Sequence, residues 1–193
     1  MQLKDKTAII TGGGSGFGAS MADLFAKNGA KVIVADIHID NAKKVAEHIG
    51  GYPVEVDVSN AGSVEEMEEK VFNKYQKVDI LVNNAGTTHL PAPMETIEED
   101  EFDRVFNVNC KSVYLTAKHF VPHFKENKSG VILNIASTAG VSPRPNLNWY
   151  NSSKGWMILA SKTMAVELAP FGIRVNVVNP VAGETPLLKS FLG

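Results

Sequence analysis

Thr11-Gly12-Gly13-Gly14-Ser15-Gly16-Phe17-Gly18 is the stretch whose reading decides the fold. An apolar run, Thr7-Ala8-Ile9-Ile10, precedes it, and apolar residues at helical spacing follow over 19–28. Strand, glycine-rich turn and helix together form the context in which such a loop binds a dinucleotide. Glycine tolerates backbone angles that other residues resist. It also lets the main chain approach a pyrophosphate at the positive end of the following helix. Gly12, Gly16 and Gly18 read TGxxxGxG, slightly longer than the common GxGxxG. Alone, the turn is weak evidence and could be a plain tight turn; its flanks favour a nucleotide.

The next buried strand, 31–36, ends in Asp36, about 20 residues after Gly16. At that spacing a carboxylate reaches the hydroxyls of an adenosine ribose. The same charge repels a 2′-phosphate and favours NAD(H) over NADP(H). Ser15 and Ile37 stand where a basic residue would favour NADP(H). The alternative is that Asp36 only caps the helix starting near Asp40.

Further strands are expected at 52–56, 78–82, 131–135 and 173–178, and helices at 41–49, 64–75, 98–111, 112–128 and 149–168. Asn28-Gly29 and Pro170-Phe171-Gly172 mark helix ends. Asp57-Val58 closes the third strand where an adenine edge could be held, and Asp57 or Ser59 could cap the helix after it. The fourth strand runs into Asn83-Asn84-Ala85-Gly86, a second small-residue turn at a strand end. This alternation predicts an α/β fold, a doubly wound parallel sheet with helices on both faces, in one domain over 1–193. Ligands of such sheets sit outside the carboxyl ends of the strands, where the strand order reverses.

Composition sets the wider bounds. With 193 residues, 44% hydrophobic and 21% charged, the chain can bury a sizeable core. A net charge of −2 gives no electrostatic case for nucleic acid or an anionic membrane surface. The single Cys110 allows no internal disulfide and fits a reducing compartment. Met1 to Lys6 carries charges where a signal peptide needs an apolar core, so the expected location is the cytoplasm. No His, Cys and acid grouping has metal-site spacing.

Tyr150 and Lys154 stand at i and i+4, one face of a helix. A nearby ammonium favours phenolate and is expected to lower the tyrosine pKa, which would make Tyr150 a usable acid or base. The bland alternative is an aromatic ring resting on an alkyl stem. Ser137, at the end of the fifth strand, could hold a substrate carbonyl beside the phenol, or simply bond its own backbone. Asn109, near the break between two long helices, could hold a water behind Lys154, or satisfy broken helix carbonyls.

Taken in order, Thr11-Gly12 with Gly16 and Gly18, Asp36, Asp57, Asn83-Asn84-Ala85-Gly86, Asn109, Ser137, Tyr150 with Lys154, and Asn179-Pro180 resemble the short-chain dehydrogenase/reductase family. The matching motifs run from the first strand to the sixth. The resemblance implies a Rossmann sheet, a nicotinamide dinucleotide, and hydride transfer between a secondary alcohol and a ketone. It implies pyrophosphate contacts at Gly12, Gly16 and Gly18, a ribose contact at Asp36, and an adenine contact at Asp57 and Val58. Asn83 would lie along the cofactor, and Thr185 would meet the carboxamide. Ser15, Phe17, Ile37, Ala85, Gly86 and Pro180 complete the cofactor set it implies, with Tyr150 and Lys154 at the nicotinamide ribose. Ser137, Tyr150, Lys154 and Asn109 form the implied proton relay. A homodimer or homotetramer through 98–128 and 149–168 is implied too, with Phe102, Phe106, Val113 and Phe120 as interface or core.

Two departures stand out. Val181 follows the proline after the sixth strand, where the family usually has glycine. The family also continues past the position of Gly193 with helices over the substrate cleft and a seventh strand, so the expectation is a longer protein. The alternatives are a 3-oxoacyl thioester reductase, or a module that binds NAD without turnover. Expected pocket residues are His89, Leu90, Ala139, Val141, Asn146, Leu147 and Trp149, mostly apolar, with His89 exposed and no basic cluster to demand a charged substrate.

Overall fold

The computed structural model describes residues 2–192. Its strands β1 (Thr7–Thr11), β2 (Lys31–Asp36), β3 (Tyr52–Glu55), β4 (Ile80–Asn83), β5 (Gly130–Ile135) and β6 (Ile173–Val178) form one sheet in the order β3-β2-β1-β4-β5-β6. Every neighbouring pair is parallel. Helices α1 (Gly16–Lys27), α2 (Ile39–Ile49), α3 (Ala61–Tyr75), α4 (Glu99–Phe106), α5 (Ser112–Glu126) and α6 (Asn148–Leu168) connect them, and α7 (Lys189–Leu192) follows β6. This is the doubly wound sheet that the sequence predicts.

Strand residues alternate between faces, so each strand feeds two cores. Ile9, Ile33, Leu81 and Ile132 pack with Val64, Met67, Phe120 and Phe124 of α3 and α5. Ala8, Ile10, Val32, Val34 and Val82 pack with Ala22 of α1 and Ala42 and Ala46 of α2. The chain works outward from β1 to β3, then crosses to β4 on the other side of β1. That reversal opens a crevice between the ends of β1 and β4. Pro53 is tolerated because β3 is an edge strand.

Several boundaries differ from the sequence expectation. α1 begins at Gly16, because the glycine turn itself supplies its first residues. The cap of α3 is Asn60, whose Oδ1 accepts from the Ser63 amide at 3.0 Å, not Asp57 or Ser59. After α1, Gly29 takes the left-handed position (φ 92°), while Asn28 does not. The expected helix 98–111 ends at Phe106, and a π-helical turn, Asn107–Lys111, leads directly into α5. Among the interface-or-core candidates, Val113 and Phe120 are buried core, whereas Phe102 and Phe106 are half-buried and stack with centroids 4.5 Å apart.

Candidate active site

One cleft of about 850 Å³ runs along the carboxyl ends of the strands. The glycine-rich loop forms one end. Thr11 ties it to the sheet: its hydroxyl donates to the Val82 carbonyl (3.3 Å) and accepts from the Asn84 and Ala85 amides (3.0 and 3.1 Å). Asn84 Nδ2 donates to the Thr11 and Gly12 carbonyls at 2.8 and 3.1 Å, clamping the turn from the other strand end. Gly12 and Gly16 have φ of 61° and 51°, the left-handed region. A Cβ on Gly18 would stand 2.1 Å from the Gly12 carbonyl oxygen, and one on Gly12 2.9 Å from Ala85 Cα. The floor of this end is therefore bare backbone at the N-terminus of α1, a surface that fits a pyrophosphate.

Asp36 lies at the same end, 8% exposed. Its Oδ2 accepts from the Gly14 amide and its Oδ1 from the His38 amide, both at 2.9 Å. It braces the loop against the end of β2. α2 itself starts at Ile39 after His38, with no side-chain cap, so Asp36 is no helix cap. Asp57 accepts from the Ser59 amide and hydroxyl at 2.9 and 2.7 Å. Val56, Asp57, Val58 and Ser59 wall the cleft beside it.

The other end is made of side chains. Ser137, from the end of β5, and Tyr150 and Lys154, from the first turns of α6, are 7%, 6% and 4% exposed, and all line the cleft. Lys154 Nζ donates to the Ile135 carbonyl at 2.9 Å and lies 5.9 Å from the Tyr150 ring centroid. Burial lowers the lysine to about 8. Burial also raises the Tyr150 phenol above its ordinary value, opposed by the neighbouring Ser137 hydroxyl and the Arg144 charge. This corrects the sequence expectation of a lowered phenol: both partners of the pair are desolvated, and the ammonium is engaged with a carbonyl. Phe191 meets the Tyr150 ring edge-on, centroids 5.1 Å apart.

Asn109 is fully buried in the π-helical turn and does not line the cleft. Its Oδ1 accepts from the Thr87 amide, and its Nδ2 donates to the Thr87 carbonyl and the Ser153 hydroxyl, each at 2.9 Å. Ser153 in turn donates to the Tyr150 carbonyl at 2.7 Å. Both amide hydrogens are committed, so this side chain brackets the loop after β4 to α6 and has no free donor for a relay water.

Gly12, Ser15, Gly16, Phe17, Asp36, Ile37, Asp57, Val58, Ala85, Gly86, Ser137, Tyr150, Lys154, Pro180 and Thr185 all face this one cleft. Gly18 lies beneath it, against the Gly12 carbonyl. Asn83 does not line it: its Nδ2 donates to Asn134 and its Oδ1 accepts from Thr116, at 2.8 and 2.9 Å in the interior. Asn84 takes the cleft-facing place. Of the expected pocket residues only Ala139 and Leu147 line the cleft. His89 is buried rather than exposed, its Nδ1 2.8 Å from the Leu90 carbonyl oxygen. Trp149 instead bonds the Met94 carbonyl through its indole at 3.2 Å. Sequence reasoning missed Arg104 and Arg144, which both line the cleft. The signal for Arg144 was a cation between Pro143 and Pro145, shortly before Tyr150.

A parallel sheet whose ligand crevice lies at the switch point, with a bare-backbone loop at one end and a buried Tyr-Lys pair at the other, defines a dinucleotide-dependent oxidoreductase. The family model described as short chain dehydrogenase matches residues 6–192, and the chain belongs to that family. It is 43% identical to 4-formylbenzenesulfonate dehydrogenase of Comamonas testosteroni, over 100% of this chain and 79% of that protein. It is 38% identical to a 3-oxoacyl-[acyl-carrier-protein] reductase of Thermotoga maritima, over 98% and 78%. The crystal structure of a 3-ketoacyl-(acyl-carrier-protein) reductase from Brucella melitensis complexed with NADH superposes with a TM-score of 0.97 at 50% identity, covering 98% of this chain and 80% of that one. No helix among the described residues is long and apolar enough to cross a membrane.

Proposed function

We propose that the protein interconverts a secondary alcohol and a ketone with NAD(H), and that Tyr150 exchanges the proton. The observation that carries this reading is the convergence of Ser137, Tyr150 and Lys154 in the cleft that also holds the bare-backbone loop. Gly12, Gly16, Asp36, Asp57 and Thr185 would hold the dinucleotide, with Gly18 allowing the turn. When bound, the nicotinamide supplies a hydride to the carbonyl carbon or takes one from the alcohol carbon. In the reducing direction Tyr150 gives its phenolic proton to the carbonyl oxygen as the carbon gains that hydride; in oxidation the proton returns to it. Ser137 orients that oxygen. Lys154, held by Ile135, places a positive charge beside the phenolate left behind. Asn109 positions Tyr150 through Ser153.

Asp36 supports NAD(H) over NADP(H), since a second negative charge beside it would be repelled. Reduction of a 3-oxoacyl thioester is a second reading of the same step, favoured by the NADH-bound reductase at 50% identity. Tyr114, Trp156, Leu159 and Val166, exposed apolar residues of α5 and α6, support assembly as a homodimer or homotetramer. The reducing environment expected for Cys110 supports a cytoplasmic location.

The test is calorimetric titration of NAD+ and NADP+, followed by a panel of secondary alcohols read by reduced-cofactor absorbance. NAD+ is expected to bind the more tightly, with turnover of at least one alcohol. Tyr150→Phe is expected to lower kcat by about 10²- to 10⁴-fold with cofactor affinity within a few-fold. Binding with no turnover across the panel would leave a binding module, and unchanged turnover in the variant would remove Tyr150 from the chemistry.

A further inference from the structure

Arg144 is the one cation of the cleft wall that no acid or carbonyl of the described residues engages. The carboxylates among the lining, Asp36 and Asp57, belong to the nucleotide end. Lys154 is held by Ile135. Arg104 is held by both carboxylate oxygens of Glu101, by the Thr87 hydroxyl, and by the Thr88 carbonyl at 2.9 Å. Among the described residues, the Arg144 guanidinium has no carboxylate within 4.0 Å and donates no hydrogen bond. Glu95 and Arg144 both line a second, smaller hollow, with no ion pair between them within 4.0 Å.

Its backbone, by contrast, is firmly held. Pro143 and Pro145 flank it and fix their own φ angles. The Arg144 carbonyl accepts from Nδ2 of Asn151, beside Tyr150 on α6, at 2.8 Å. The Asn146 carbonyl accepts from the Ala92 amide at 3.0 Å. The guanidinium stands near enough to the Tyr150 phenol to favour its ionised form. Arg144 is exposed at the mouth of the cleft, and its guanidinium, without an acid partner on a loop whose backbone is held, offers a planar fork of donors that matches a carboxylate or sulfonate bidentately.

We propose that Arg144 anchors the substrate, and that the substrate is a ketone or alcohol carrying a carboxylate or sulfonate, which pairs with this guanidinium while the reacting carbon stands at Tyr150. The proposal rests on the alcohol–ketone reading above. It departs from the expectation, drawn from the sequence, of a pocket with no basic cluster to demand a charged substrate.

The test compares matched ketones with NADH: 4-acetylbenzoate against methyl 4-acetylbenzoate, and 4-oxopentanoate against its methyl ester. Wild type, Arg144→Ala and Arg144→Lys are assayed for kcat/KM, and calorimetry with NADH present reads binding of each anion. The ratio of anion to ester kcat/KM is expected to fall about 10- to 100-fold in Arg144→Ala, through KM, with partial retention in Arg144→Lys. NADH affinity is expected to stay within a few-fold. Turnover of both members with an unchanged ratio overturns the anchor and leaves the oxidoreductase reading standing. Arg144-dependent binding of the anions without turnover of either ketone keeps the anchor, and the alcohol panel above then decides the alcohol–ketone reading. Absence of both binding and turnover of the anions overturns the anchor, as does a loss of NADH affinity in place of a change in ratio.

Discussion

The two ends of the cleft are made of different material. At the glycine-rich end the working surface is main chain, and the nearby side chains serve to hold it: Thr11, Asn84 and Asp36 all bond loop amides or carbonyls. At the Tyr150 end the working surface is side chains, drawn from the end of β5 and from α6, with the π-helical turn bracing them from behind. The first end tolerates no added atoms. The second depends on burial, because desolvation is the largest influence on both Tyr150 and Lys154 and sets the direction in which each departs from its ordinary value. A site built of backbone is specified by where side chains are absent, and a site built of titratable groups by what surrounds them.

The sharpest way to break this contrast is Gly18→Ala. Its Cβ would meet the Gly12 carbonyl oxygen at 2.1 Å and Asn84 Nδ2 at 2.6 Å, and the first of these is backbone that cannot turn aside. Overpacking of this kind costs about 1–3 kcal/mol. For a chain of this size that lowers Tm by roughly 2–12 °C, read by calorimetry, and NAD+ affinity should fall tenfold or more, on the order of the same free energy. A variant that keeps both values would mean the loop relaxes freely, and the close-packed description of that end would fail. A smaller effect is expected from Asp36→Asn, which removes the charge and keeps one of the two acceptances, its amide nitrogen facing the other N–H. The preference for NAD+ over NADP+ should narrow by about tenfold, on the order of 1.4 kcal/mol. An unaltered ratio in paired titrations would mean that Asp36 only braces Gly14 and His38.

The same contrast explains what could be read in advance. The sheet, its helices and the glycine end are local features: TGxxxGxG between an apolar run and a helical period, then Asp36 at the close of the next strand. The pairing of Tyr150 with Lys154 was legible for the same reason, being a spacing within one helix. What escaped depended on distant partners. Asn83 and Asn84 are the same residue type side by side, and only the sheet shows that Asn134 and Thr116 draw Asn83 inward while the glycine turn takes Asn84. His89 reads as a loop histidine until the fold buries it. Asn109 reads as a break between helices, and the wide π-helical turn that points it at Thr87 and Ser153 has no local signature. The direction of the Tyr150 shift was misjudged because spacing registers the ammonium and not the burial.

That last point gives the smallest but most direct test of the Tyr150 end. In the unfolded chain Lys154 holds its proton up to about 10.5, whereas in the native protein it releases it near 8. Between these values the unfolded state binds more protons, so native stability must rise with pH through this window. The slope can reach about 1.4 kcal/mol per pH unit for one group. Cys110 works the other way: burial raises its thiol from 9.0 to about 11, so the native state holds the extra proton and stability falls as pH rises above 9. The unfolded thiol already begins to ionise between pH 8 and 9, so the lysine is read there from the difference in slope between wild type and a Lys154 variant that keeps Cys110. Urea unfolding from pH 8 to 9 should show wild-type stability rising and Lys154→Met stability falling slightly through Cys110, whatever the absolute stability of the variant. Equal slopes in the two proteins would mean that the Ile135 carbonyl keeps the native lysine charged, and that hydrogen bonding rather than desolvation governs this end of the cleft.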